Sequence, residues 1–435
     1  MRKHGNSYWF NSVVILIILC FFIQISCNQV QHDSRRGNRR LTAGKPESVG
    51  MSSKRLERIQ VVVQSYVDSL WISGATGLIA RRGKVVYHQS FSMRDIEQKD
   101  IMQNDDIYRI ASMTKAVTSV AVMMLYEEGH FLLDDPLYYY LPEFKDPVIL
   151  DRVIWKDSTF TSHPAENQIT IRQLLNHTSG IGYSFSHERL RPLYQKAGIP
   201  DGLNTTHAIL ADKMKAIARM PLLHEPGEAY TYGLNMDVLG YLVEVLSGQS
   251  LSEFFSELIF EPLGMESTSF YLYGEDAFRL VTLYEPDGHG GLRPSTDRDY
   301  YYPLEGGKSY YSGGAGLLST ALDYGKFLQM LVNNGQYNGH RLLSRKTIDI
   351  MTKNQVGDLW GGGAFGLGFG ITTEEGSASI LGSVGNYWWG GYFSTSFWVD
   401  PAEELVAVFM TQMFPAPHDE IHKKFQVLAY QAIVD

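Results

Sequence analysis

The chain of 435 residues has only two cysteines, Cys20 and Cys27, both near its start. Beyond them no disulfide, thiol nucleophile or thiolate metal site can form. Folding there rests on a packed core, which the length permits. Cationic excess is also missing: 38 Lys+Arg against 47 Asp+Glu give a formal net charge of −9. That leaves no electrostatic footprint for nucleic acid. No H-E-x-x-H metal helix and no G-x-S-x-G nucleophile elbow occurs. Gly361-x-Gly363-x-x-Gly366 has dinucleotide-loop spacing, but a strand is expected after it where that motif requires a helix. A membrane-length apolar run is absent too: residues 13–23 are apolar, well short of the roughly 20 needed for a span.

What the first residues do contain reads as an export signal. Arg2, Lys3 and His4 precede that apolar run, which ends in Gln24-Ile25-Ser26-Cys27. Cys27 after a small residue resembles a lipoprotein lipidation site, although Gln24 stands where an aliphatic residue is usual. Residues 28–44, with Arg35, Arg36, Arg39 and Arg40, read as a polar tether. The expectation is a leader and tether over 1–44 and an exported protein, periplasmic or attached to the cell envelope through a lipidated Cys27. Ordinary secretion is the alternative.

From residue 45 to 435 the pattern is one α/β unit without linker or repeat. Residues 52–70 predict a helix, capped by Ser52 or Ser53, with Leu56, Ile59, Val62, Val63 and Tyr66 as its apolar stripe. Residues 77–80 and 84–88 predict strands around Arg82-Gly83. The stretch from 111 to about 309 reads as helical and loop-rich, with clearer helices at 169–176 and at 237–246, the latter stopped by Gly248. Residues 366–373, 378–381, 393–400 and 405–412 predict strands, separated by Glu374-Glu375-Gly376 and Pro401-Ala402 turns, before a last helix at 418–434. The expected fold is an antiparallel sheet built from both chain ends, with helices on its faces and the helical region inserted.

Chemistry concentrates in Ser112-Met113-Thr114-Lys115. Residues 111–126 predict a helix, with Gly129 as its stop. Residues three apart share a helix face, so a potential nucleophile and a potential base meet. Ser112 would stand at the helix N-terminus, where free N–H groups favour negative charge. Serine needs a base, and burial that disfavours the charged lysine supplies one. Two further segments accompany it: Tyr230-Thr231-Tyr232-Gly233-Leu234-Asn235, and Tyr387-Trp388-Trp389-Gly390-Gly391-Tyr392 leading into a strand.

Together these resemble the serine β-lactamase and DD-peptidase superfamily, closest to its class C β-lactamase-like carboxylesterases. The S-x-x-K motif matches Ser112–Lys115, the second motif Tyr232-Gly233-Leu234, and the third, K-T-G or W-G-G, matches Trp389-Gly390-Gly391. Segments 46–50, 174–180 and 313–320 are also similar to the family. The resemblance implies that Ser112 forms an acyl-enzyme. It implies that Lys115 or Tyr232 is its base, with Tyr232 returning the proton and activating water. The N–H groups of Ser112 and Tyr392 would form an oxyanion hole. Trp389, Gly390, Gly391 and Leu234 would line the substrate.

Trp389 replaces the family lysine that meets a β-lactam or peptide carboxylate. A charge-assisted hydrogen bond is worth about 1.5–3 kcal/mol, so this wall favours an uncharged ester unless Lys308, Lys353 or an arginine supplies the cation. His177 reads as structural, Glu225-Pro226-Gly227 as a turn, and Asn176 and Asn204 head glycosylation sequons. The expected function is a serine hydrolase acting on a small-molecule or glycan- or peptide-linked ester, with no metal or organic cofactor and no nucleic-acid partner. A β-lactamase or D-alanyl-D-alanine carboxypeptidase using the same site is one alternative. A catalytically silent envelope-binding protein is another. Oligomeric state stays open.

Overall fold

The computed structural model describes residues 40–435; Cys20, Cys27 and the leader lie outside the described residues. Nine strands form the main sheet: β1 (Thr42–Ala43), β2 (Gly74–Arg81), β3 (Lys84–Asp95), β4 (Asp100–Ile101), β5 (Ala364–Phe365), β6 (Gly370–Ile371), β7 (Tyr387–Gly391), β8 (Thr395–Asp400) and β9 (Leu405–Met410). Their order is β1-β3-β2-β9-β8-β7-β6-β5, with β4 beside β3. β9 pairs antiparallel with β2 from Leu405↔Arg81 to Met410↔Thr76, so the last strands close on the first. Both strands are buried throughout, as their near-continuous apolar sequence requires of a sheet covered on two faces. β1 runs parallel to β3, which makes the expected antiparallel sheet mixed at that edge.

Five principal helices cover it: α1 (Ser53–Asp68), α2 (Thr114–Glu127), α3 (Asn235–Ser247), α4 (Ala321–Val332) and α5 (Ile421–Tyr430). The Ser52 side chain accepts the Arg55 N–H and caps α1, a contact worth about 1 kcal/mol. Leu56, Ile59 and Val63 of α1 pack with Phe409 of β9 and Phe425 of α5 on one face. Each such fully buried side chain contributes about 1.5–3 kcal/mol. The opposite face carries α2, α4 and the inserted region, with Val117, Val120, Leu328 and Phe397 in one core. Arg81, almost wholly buried, ties the two chain ends by pairing with Glu403 at 2.6 Å and Asp435 at 2.7 Å.

Several expected elements differ. The helix expected from residue 111 begins as a 3₁₀ turn, Ala111–Met113, and becomes α-helical at Thr114. The strand expected at 366–373 shrinks to Gly370–Ile371. Residues 378–381 are not a strand: Thr373 accepts the Gly376 N–H and caps a short helix, Glu374–Ser379. The two glutamates read as a turn are its first turn, where acidic side chains suit the helix dipole. The middle region also contains an unanticipated hairpin, Val148–Ile154 with Thr159–Pro164. After Gly361-x-Gly363-x-x-Gly366 comes β6, not a helix.

Candidate active site

The chain reaches Ser112 through a two-residue strand, Tyr108–Arg109, paired with Leu318–Ser319. Ile110 N–H donates to Leu317 O at 3.1 Å, Leu317 N–H to Thr114 Oγ1 at 3.1 Å, and Tyr324 Oη to Met113 O at 2.9 Å. This frame holds Ala111 at φ +41°, a backbone state costing a non-glycine residue about 1–3 kcal/mol. It presents Ser112 half-buried at the start of the α2 turn.

Lys115 follows on the buried side of α2, 1% exposed. Its Nζ lies 3.2 Å from Ser112 Oγ, 3.0 Å from Tyr183 Oη and 2.7 Å from Gly314 O. It also sits 4.6 Å from the centre of the Tyr232 ring. The structure therefore brings Ser112, Lys115 and Tyr232 into one cluster. The hydroxyl that meets the lysine, however, belongs to Tyr183.

Tyr232 turns its own hydroxyl to the third segment: Trp389 Nε1–H donates to Tyr232 Oη at 3.4 Å, and the two rings lie 5.6 Å apart. Tyr183 is buried beside it, 5.4 Å between ring centres. Burial, and secondarily the neighbouring Tyr232, holds the Tyr183 phenol well above its ordinary pKa. Tyr183 is thus a neutral hydroxyl at physiological pH. The loops carrying the two tyrosines touch at Gly233, where a Cβ would fall 2.1 Å from Ile181 O. Any side chain there would part the tyrosines.

His177 sits behind Tyr232, ring centres 4.8 Å apart. It is fully buried, and Asn235 Nδ2 donates to its Nδ1 at 2.9 Å. Burial, then the charge of Lys115, drives its pKa well below the usual histidine value. It is a neutral packing group. Asn235 also contacts Ile181 O at 3.3 Å and the Ser179 hydroxyl, stitching both tyrosine loops together.

Leu234 does not line the cleft as expected. It is fully buried in the core immediately before α3, because an isobutyl group at that turn packs inward with the helix. Trp389 does face the site, against Tyr232 and Phe365. Lys308, one of the alternative cations, is committed elsewhere: its Nζ donates to Leu272 O at 3.0 Å and covers the Tyr273 ring. Lys353 is exposed at the end of a short helix.

The two glycines of the third segment have different duties. A Cβ on Gly391 would fall 2.4 Å from Ile110 O and 2.2 Å from Thr395 Oγ1. β7 can therefore approach the backbone two residues before Ser112 only with glycine there. Gly390 would meet a single atom, Thr395 O at 3.2 Å. Beyond Gly391, the Tyr392 N–H finds no acceptor among the described residues. The Tyr392 ring stacks on Phe414 at 3.9 Å and lies 5.9 Å from Phe185, forming an aromatic rim.

Sequence reading missed Tyr183 and Asn235. Tyr183 ends the glycine-rich stretch Gly180-Ile181-Gly182 directly after the family-like loop, and that adjacency was the available signal.

The fold is that of the β-lactamase and penicillin-binding-protein type. The Beta-lactamase family model matches residues 59–432, and the chain belongs to that family. It is 32% identical over 376 residues to the uncharacterized protein MT1414 of Mycobacterium tuberculosis (strain CDC 1551 / Oshkosh), covering 83% of this chain and 90% of that protein. It is 29% identical over 315 residues to esterase EstB of Burkholderia gladioli, covering 69% and 74%. Among solved structures it is similar to EstCE1, a hydrolase with promiscuous acyltransferase activity, with a TM-score of 0.76, 27% identity, and coverage of 87% and 99%. Family and relatives make it an enzyme of the hydrolase and acyl-transferring type.

Proposed function

We propose that this protein is an esterase working through an acyl-serine at Ser112. The observation that carries the reading is the buried Lys115 Nζ within 3.2 Å of the Ser112 hydroxyl. Ser112 Oγ attacks the ester carbonyl and passes its proton to Lys115 Nζ. Lys115 rather than a phenol is the base, because the lysine is the group bonded to Ser112. The N–H groups of Ser112 and Tyr392 receive the carbonyl oxygen as it gains charge. Tyr232, oriented by Trp389, donates a proton to the departing alkoxide and later deprotonates the water that cleaves the acyl-serine. Tyr183, held neutral, fixes the Lys115 amine in line with Ser112.

The substrate is an uncharged ester with an apolar or aromatic portion. Trp389, Phe185 and Tyr392 offer aromatic surface around the position where a carboxylate-binding lysine would stand in a β-lactamase. The naming of the similar EstCE1 as a promiscuous acyltransferase supports a second outcome, in which an alcohol replaces water as acyl acceptor. Export, with Cys27 lipidated, remains a proposal from sequence alone.

A fluorophosphonate probe and two chromogenic substrates test the reading. Native protein should label at one site and cleave a short-chain nitrophenyl ester, and Ser112→Ala should do neither. Efficient cephalosporin turnover without ester cleavage refutes the ester preference. Equal labelling of Ser112→Ala refutes the nucleophile.

A further inference from the structure

Side chains alternate across a strand. Trp389 points to Tyr232, so Trp388 and Gly390 point to the opposite face of β7. There they stand beside Trp398 and Ser396 of β8, in the register Trp388↔Trp398 and Gly390↔Ser396. Behind them opens a cavity of about 610 Å³, closed by α5 and by the short helix Glu374–Ser379. That volume lies within the range of small-molecule sites. Gly390 helps to leave the space, since a Cβ there would meet only one atom within 4 Å.

The cavity has two chemically distinct ends. Trp360, Trp388 and Trp398, with Ile371 and Ile380, form an apolar wall. At the other end Ser396 Oγ lies 2.7 Å from His422 Nδ1, and His422 Nε2 lies 3.3 Å from Asp419 Oδ1. Ser394 Oγ completes the cluster, 2.9 Å from His422 Nε2 and donating to Asp419 Oδ1 at 3.0 Å. Ser396 Oγ exchanges one hydrogen bond with His422 Nδ1. In either direction of that bond Ser396 Oγ keeps a free lone pair toward the cavity. The hydrogen bond from His422 holds the Asp419 carboxyl below its ordinary pKa, and Lys423 stands beside it on the cavity wall. The opposed charges leave the polar end close to neutral.

We propose that this rear cavity is a second binding site, distinct from the Ser112 cleft, for a small uncharged aromatic alcohol. The ring lies among the indoles, and the hydroxyl donates to Ser396 Oγ. With Asp419 and Lys423 offsetting each other, the polar end offers neither a carboxylate nor an ammonium a net attraction. The site adjoins the oxyanion turn: Ser394, at φ +60°, closes the turn that carries Tyr392 and is hooked to Asp419 and His422.

The test is calorimetric titration of the full-length protein with 2-naphthol, before and after phosphonate labelling, with labelling verified by mass. One saturable site is expected, with a Kd unchanged by the phosphonate. Ser396→Ala should weaken it about five- to tenfold, and Ser396→Leu should abolish it at an unchanged melting temperature. Loss of binding on labelling would place naphthol in the catalytic cleft and overturn the proposal. So would the same Kd in both Ser396 variants, or no saturable binding. The Ser396 titrations need no turnover, so they stand even if Ser112 proves unreactive.

Discussion

Lys115 Nζ lies 3.0 Å from the hydroxyl of Tyr183, a residue 68 positions further along the chain. The phenol that the sequence motifs single out, Tyr232, offers the same nitrogen its ring face instead. Two tyrosines therefore divide what one was expected to do. In the proposed mechanism Tyr183 positions the base, and Tyr232 handles the proton at the leaving oxygen.

That division separates the effects of two substitutions. Tyr232→Phe removes the proposed acid–base group, and turnover of an alkyl ester, whose alkoxide needs a proton to depart, should fall about 10²–10⁴-fold, the usual contribution of such catalysis. The loss should shrink for esters with better leaving groups, which need less protonation. Tyr183→Phe removes one hydrogen bond to Lys115, so its loss should be smaller and equal across leaving groups. Steady-state rates over a series of alkyl and substituted phenyl esters check both. Identical leaving-group dependence in the two variants would contradict the assignment.

Ser112 and Lys115 were legible because their relation is local: three residues apart on one turn, whatever the fold. α1 was legible for a similar reason, with Ser52 as cap and Leu56, Ile59 and Val63 on one stripe. Tyr183 was not, because only tertiary folding brings its loop to α2. Leu234 misled because a motif position says nothing of side-chain direction, and the start of α3 turns it into the core. The helix at Glu374–Ser379 was hidden by Gly376, which reads as a turn until Thr373 is seen capping it.

The third segment predicts a contrast between adjacent glycines. Gly391→Ala places a methyl against Ile110 O and Thr395 Oγ1, so β7 must retreat from the Ser112 turn. Displacing the proposed oxyanion donor, the Tyr392 N–H, should cost about 10²–10³ in turnover, with little change in KM. Gly390→Ala meets one atom and should stay within about tenfold of the native rate, since a single close contact leaves the Tyr392 N–H in place. Paired kcat and KM values for the two variants decide it.

His177 links the site to stability. Its pKa in the fold lies well below the ordinary histidine value because burial and the Lys115 charge oppose protonation. Between those two values the unfolded chain binds the extra proton, so unfolding becomes easier as pH falls through about 6.5. Above that pH the contribution is fully present. Asp237, raised by burial, acts in the opposite sense, so only a difference measurement isolates the histidine. The melting temperature of His177→Gln should fall less steeply than that of the native protein from pH 7 to pH 5. Equal slopes would show that His177 does not govern the acid limb.

Trp389 carries two roles that substitution can part. Phenylalanine keeps the aromatic wall beside Phe365 but deletes the Nε1–H that reaches Tyr232 Oη. A neutral hydrogen bond contributes about 0.5–1.5 kcal/mol, so Trp389→Phe should reduce kcat about two- to tenfold and leave KM for an aryl ester unchanged. Lysine removes the wall as well and introduces the cation that a carboxylate would meet. Trp389→Lys should raise KM for aryl esters. It should also tighten inhibition by a simple aryl carboxylate by about tenfold or more, the worth of one charge-assisted hydrogen bond. Inhibition constants for the carboxylate against native and Lys variants supply the comparison. If the carboxylate already binds native protein as tightly, another cation serves the cleft, and the ester preference loses its physical basis.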